Sequence, residues 1–174
     1  MTTKPELYEN YPWSTVITYK TIMGSIFISG LFLTYLINPF LSLAFFLYLL
    51  YMEFSVYKEG CQYCYYYGKR CFSGRGLIVK HLYKKGDPKV FCARTMEFKD
   101  FLPHMVVAFV PAIAAGYLFF TQGLDLVYVG VGIWPLLVNF VGNQFIYGQM
   151  ACPHCKQGAK CCPAVDYFMK KQKK

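Results

Sequence analysis

Two stretches almost free of charge constrain this chain more than anything else in it. Across residues 14–57 the only formal charges are Lys20 and Glu53, and across residues 105–147 the only one is Asp125. A bilayer core takes about 20 apolar residues per helix, so each stretch is too long for one span and long enough for two. The first divides at Asn38-Pro39, because proline fits at a helix start and ends the helix before it. This predicts helices over residues 14–37 and 40–57. The second divides at Gln122-Gly123-Leu124-Asp125 and predicts helices over residues 104–121 and 126–148, with Pro111 and Pro135 as mid-helix kinks. With 56% hydrophobic and 20% aromatic residues, the expected fold is an all-α integral membrane protein with four transmembrane helices in two hairpins. The first apolar run is too long for a signal-peptide core and no small-residue cleavage site clearly follows it, so no signal peptide is expected.

The net charge of +9 is unevenly placed. Residues 58–102 hold ten Lys and Arg against four acids, residues 149–174 hold six against one, and the two inter-helix turns hold no basic residue. The positive-inside rule then predicts a multi-pass protein of the cell membrane with both termini and the central segment cytoplasmic. Lys20 lies where it can snorkel, with Trp13 and Tyr19 as interfacial aromatics. All eight cysteines fall on the reducing side, where stable disulfides are disfavoured and paired cysteines bind metal or do redox chemistry.

A shift of 91 residues lays Cys61, Cys64 and Cys71 on Cys152, Cys155 and Cys162, so Cys-x2-Cys-x6-Cys occurs twice, each time about one turn after a predicted helix. The same shift lays Pro12 on Pro103 and Glu53-Phe54 on Gln144-Phe145. This predicts a duplicated hairpin with a cysteine knuckle, the copies related by a pseudo-two-fold axis along the membrane normal. The expected organisation is residues 1–72 as the first hairpin and knuckle, 73–102 as a small cytoplasmic cap, 103–163 as the second hairpin and knuckle, and 164–174 as a basic tail.

Two knuckles together supply the thiolates that tetrahedral zinc or an iron–sulfur cluster requires, and a short CxxC turn aims two sulfurs at one ion. The candidate metal ligands are Cys61, Cys64, Cys71, Cys92, Cys152, Cys155, Cys161 and Cys162, as one shared site or one per repeat. The expected function is an accessory membrane subunit binding an iron–sulfur cluster or zinc, passing electrons if the centre is a cluster. The alternatives are a zinc-clamped scaffold or transport component, and a thiol–disulfide oxidoreductase using Cys152 and Cys155 as catalytic residues. An accessory role makes other membrane subunits the expected partners.

Cys152-Pro153-His154-Cys155 is similar to the active-site tetrad of the DsbA thiol oxidases, a resemblance of four residues that implies an activated thiol. The short segment after Met150 has no room for a thioredoxin fold. Four-helix membrane enzymes of the DsbB and vitamin K epoxide reductase kinds also carry CxxC pairs near helix ends, with chemistry on the oxidising side. The Asp-His-His-Cys tetrad of protein palmitoyltransferases is absent, and neither CxxC continues into His as covalent haem attachment needs. Cys155-Lys-Gln and Cys162-Pro-Ala resemble pieces of small four-helix membrane proteins of anaerobic archaea, which implies membrane residence and no particular activity.

Glu53, Asn143 and Gln144 sit about a turn inside the predicted cytoplasmic helix ends, where Glu53 reaches the headgroups or pairs with Lys58, the sharper alternative being a proton relay or quinone contact. Tyr65-Tyr66-Tyr67-Gly68-Lys69-Arg70 with Ser73-Gly74-Arg75-Gly76 reads as an interfacial belt on anionic lipid headgroups rather than a nucleic-acid site. His81 reads as a surface residue and His104 as a membrane-boundary residue.

Overall fold

In the computed structural model, which describes residues 6–94, 98–123 and 126–162 with Val165 and Phe168 beyond them, four helices are long and apolar enough to cross a membrane. The first two are α1 (Trp13–Ile37) and α2 (Pro39–Glu59). They part at Asn38, whose side-chain oxygen accepts the Phe40 N–H at 2.8 Å and so occupies a donor that the new helix leaves open. Two short helices follow, α3 (Arg75–Leu82) and α4 (Pro88–Cys92). Asp87 caps α4 by accepting from the Lys89 N–H at 2.9 Å, and Pro88 occupies its first turn. The third long helix, α5 (Phe98–Gln122), contains both Pro103 and Pro111. It starts six residues before the predicted position 104, with Asp100 in its first turn, where the helix dipole favours an acid. Part of the predicted Gln122–Asp125 turn, Leu124 and Asp125, lies outside the described residues, as does most of the basic tail.

The fourth long segment departs from the single α-helix predicted over residues 126–148. It runs as α6 (Leu126–Leu137), widens into a π-helix over Val138–Gly142, returns to α over Asn143–Phe145 (α7), and is π again over Ile146–Ala151. The physical reason begins at Pro135, which offers no N–H to the ladder. Asn139 Nδ2 then donates to the Pro135 carbonyl at 2.9 Å, competing with the backbone for that acceptor. A 3₁₀ turn at Cys152–His154 and the short helix α8 (Lys156–Cys161) follow.

The chain divides into two compact units. One contains Thr21–Glu53 and Glu97–Gly142, the other Met1–Lys20, Phe54–Met96 and Asn143–Lys174, each taken over its described residues. The first is built from the apolar helices. Its core is Leu33, Ala114, Ala115 and Leu118, flanked by Leu36, Ile37, Tyr128 and Val131. Small residues let these backbones approach: a Cβ on Gly30 would stand 2.5 Å from the Phe45 ring and 3.2 Å from Pro111, and one on Gly132 would stand 2.3 Å from Ala115 Cβ. Two polar side chains in the spans find partners within the protein, Thr34 Oγ1 in the Gly30 carbonyl at 2.7 Å and Trp134 Nε1 in Ser25 Oγ at 2.9 Å. That is how hydroxyls and indoles are accommodated where water is absent. Phe40 (80% exposed) and Phe120 (86% exposed) belong to a broad outward apolar surface, of the kind that hydrocarbon covers and water does not.

Ala115 Cβ is fixed to its backbone and cannot swing away, so Gly132→Ala is expected to destabilise the detergent-solubilised protein by about 1–3 kcal/mol. Gly116→Ala, whose Cβ would meet nothing within 4 Å, should be neutral or slightly stabilising. Thermal unfolding of the two variants side by side checks this.

Candidate functional site: two cysteine knuckles under one strap

The second unit gathers the cysteines. After α2 the chain turns through a 3₁₀ turn at Cys61–Tyr63, closed by the Cys64 N–H on the Cys61 carbonyl at 3.3 Å. After the second π stretch Cys152–His154 does the same, with the Cys155 N–H on the Cys152 carbonyl at 3.2 Å. The matched motifs thus take the same local form.

Backbone N–H groups point at the sulfurs. The Tyr66 N–H lies on the side of Cys64 Sγ where it favours the thiolate. Cys155 Sγ accepts from the Gly158 N–H at 3.3 Å, capping α8, and the Gln157 N–H favours its thiolate as well. Cys71 Sγ accepts from the Gly76 N–H at 3.3 Å and lies 3.3 Å from Ser73 Oγ. The loop before α3 reaches this geometry through Gly68 and Gly74, both at φ +74°, a conformation that costs a side-chain-bearing residue and not glycine. Gly76 has no room for a side chain, since a Cβ there would lie 2.2 Å from the Tyr66 carbonyl oxygen.

Residues 6–12, to which the sequence assigned no site role, form a strap across both knuckles. Its Tyr8 N–H donates to the His154 carbonyl at 3.0 Å and its Tyr11 N–H to the Arg70 carbonyl at 2.9 Å. Tyr11 is fully buried, and its hydroxyl donates to the Ala151 carbonyl at 2.6 Å. Tyr66 OH donates to the Tyr8 carbonyl at 2.7 Å and accepts from the Lys156 N–H at 3.1 Å. Tyr11, Val16 and Tyr66 make a small core against which Tyr8, Tyr65, Phe72, Cys64, Cys71 and Cys155 pack. At the rim Glu9 accepts from Lys69 at 2.9 Å, Tyr65 OH at 2.7 Å and Lys156. These bonds, that of Lys156 first, hold its carboxyl down at about 2.

Burial disfavours the charged form of two thiols inside, Cys64 and Cys155. Burial pushes Cys64 up to about 12 from an ordinary 9.0, against the lowering influence of the Tyr66 N–H. Burial likewise raises Cys155, although two backbone N–H groups pull the other way. Cys64 is within electrostatic reach of Cys61, Cys71 and Cys155, and Cys155 of Cys162. Cys64 and Cys71 of the first motif and Cys155 of the second pack against the same small core. Among the described residues, no three Cys, His, Asp or Glu side chains are grouped so as to hold a metal ion. Cys92 and Cys161, expected as further thiolate ligands, are joined by a disulfide with Cα atoms 5.1 Å apart. In this form neither can ligate, and the six cysteines of the matched motifs remain as thiols.

His154 of the Cys152-Pro153-His154-Cys155 tetrad is tied to the strap. Its Nδ1 bonds to the Glu6 carbonyl at 2.8 Å and its ring stacks on Tyr8 at 4.6 Å, so it braces the strap. His81 in α3 and His104 in α5 are exposed. Glu9, Tyr11, Tyr66 and Gln157 complete the site, and sequence reasoning missed their part in it. The one available signal was a tyrosine pair, Tyr8 and Tyr11, in a short segment before the first apolar run. No protein-family model, curated protein or solved structure matches the chain.

Because Cys64 titrates at about 12 in the fold and 9.0 is its ordinary value, the unfolded chain ionises first as pH rises. The stability contributed by keeping this thiol neutral is whole below pH 9.0 and is lost between there and about 12. Metal-free protein should accordingly show a falling melting temperature over that window, followed by near-ultraviolet circular dichroism of the tyrosine-rich knuckle unit.

Proposed function

We propose that this chain is a membrane metalloprotein in which the cysteines of the two knuckles bind a thiophilic metal, zinc or the iron of an iron–sulfur cluster, at the cytoplasmic face. The observation that carries the reading is that the two CxxC turns take the same form and place Cys64 and Cys155 against one small core, with backbone N–H groups beside both sulfurs. Such donors favour a thiolate over a thiol, yet burial keeps both thiols protonated. A cation is the missing term: a coordinated thiol is deprotonated outright, and the N–H groups then serve as the outer bonds that tune metal–thiolate centres. Neutral thiols have no reason to converge, and ligand sets of this kind gather as the metal binds. The cysteine donors of the two motifs suit zinc and iron–sulfur chemistry and not the hard cations.

The orientation rests on the basic residues of the central and C-terminal segments, which also suit contact with anionic headgroups. Arg70 lies 4.8 Å over the exposed Trp13 ring, a pairing at home in the interfacial region. The matched turns are what a duplicated hairpin would leave behind. A centre of this kind held at the membrane face befits an accessory subunit beside other membrane proteins, and with a cluster bound it would pass electrons within their complex. The oxidoreductase reading through Cys152 and Cys155 is less favoured than metal binding, because burial raises the Cys155 thiol and holds back the thiolate such chemistry needs.

Anaerobic purification followed by metal analysis and an absorption spectrum is the test. Stoichiometric zinc without colour, or iron with acid-labile sulfide and a brown chromophore, each meets the proposal and names the metal. Metal-free protein whose thiols are all present and reduced would refute it. Cys61→Ser with Cys152→Ser should abolish binding at a shared centre and leave less than half the metal if each motif has its own.

A further inference from the structure

One sulfur pair stands apart from the matched motifs. Cys92, at the end of α4, is exposed, and Cys161, at the end of α8, is half-buried. Gln157, one turn before Cys161, is only 4% exposed, and its amide can face just one way. The Tyr65 N–H, which can only donate, lies 2.8 Å from Gln157 Oε1, and this turns Nε2 toward Cys161 Sγ at 3.3 Å. Sulfur in a disulfide is a weak acceptor and a thiolate a strong one, because hydrogen bonds to charged groups are the stronger kind. A buried amide fixed on one sulfur of the pair therefore stabilises the state in which that sulfur is a thiolate. Among the described residues no such amide is aimed at Cys92.

We propose that Cys92–Cys161 is a thiol–disulfide exchange site for a low-molecular-weight thiol and its disulfide, with Cys92 the sulfur attacked and Cys161 the leaving thiolate held by Gln157. The cytoplasmic setting rests on the orientation proposed above, and there a disulfide is usually a redox device rather than a staple. The asymmetry between the two sulfurs does not depend on it. In the reducing direction, the thiolate of a first small thiol bonds to Cys92 Sγ. The Cys92–Cys161 bond breaks, and its electron pair goes to Cys161 Sγ, which accepts from Gln157 Nε2. A second small thiolate then attacks the small-molecule sulfur of the mixed disulfide and releases Cys92 as a thiolate. Two small thiols are oxidised to one disulfide, the pair gains two electrons, and the two protons the small thiols gave up are taken by Cys92 and Cys161. A small disulfide runs the sequence backwards.

The test uses full-length protein in detergent with its metal content monitored, glutathione as the probe, acid quenching and mass mapping of each cysteine. The wild-type pair should open and close with the ratio of reduced to oxidised glutathione. Cys161→Ser should accumulate glutathione on Cys92, and Cys92→Ser should accumulate about tenfold less on Cys161. Gln157→Leu should slow opening about tenfold, the worth of one charge-assisted hydrogen bond. Equal labelling of the two serine variants, or a pair indifferent to glutathione while the metal stays bound, would overturn the proposal and leave the metal reading standing. Loss of metal from both serine variants, with no glutathione trapped on either, would overturn it as well, by assigning the pair to the metal centre. If Gln157→Leu does not fold, the two serine variants decide the matter alone.

Discussion

Burial of the Tyr11 side chain between the strap and the two knuckles is the constraint on which the cysteine unit depends. Removing a tyrosine ring from water contributes on the order of 4 kcal/mol as an upper estimate. Its hydrogen bond to the Ala151 carbonyl adds about 1 kcal/mol net. The apolar term therefore provides the adhesion, but the bond decides the orientation, because a buried hydroxyl without a partner costs about 1–3 kcal/mol. Through the Tyr11 N–H on Arg70 and the hydroxyl on Ala151, one residue near the start of the chain ties the loop after the first knuckle to the backbone just before the second. Tyr66 repeats the device with its bonds to Tyr8 and Lys156. Segments distant in sequence are thus held in one small unit with little aliphatic core, a situation in which bound metal contributes strongly to stability.

What could be read from the sequence follows from how strongly each signal is tied to a local cause. The four membrane helices were legible because few folds outside a bilayer exclude charge over two such long stretches, and Asn38-Pro39 marks the first break directly. The π-helical course after Leu137 was not legible, because it depends on which groups compete for the Pro135 carbonyl. Pro135 alone suggested only a kink. The start of α5 at Phe98 was also missed, since the apolar pattern begins later than the helix does and Asp100 looked like part of a polar connection.

At the site, each CxxC spacing falls on a 3₁₀ turn whose form is set within four residues, so the turns are local features of the sequence. The strap was invisible because Tyr8, Glu9 and Tyr11 carry no spacing signal, and their partners His154, Lys156 and Ala151 lie some 140 residues away in sequence. Gln157 passed as an ordinary polar residue of a basic segment, and its role emerges only when its two ends are seen to meet Tyr65 and Cys161. The linking of Cys92 to Cys161 ran against the expectation that a reducing compartment leaves thiols unjoined, and that conflict makes the pair chemically interesting.

The central claim is that the two knuckles close on a metal through sulfur. X-ray absorption at the edge of whatever metal accompanies the purified protein tests it most directly. The expected result is a coordination shell made of sulfur alone, at about 2.3 Å if the metal is zinc, and its loss when Cys64 and Cys155 are both replaced by serine. A shell of oxygen or nitrogen, or a sulfur shell that persists in that double variant, would contradict it.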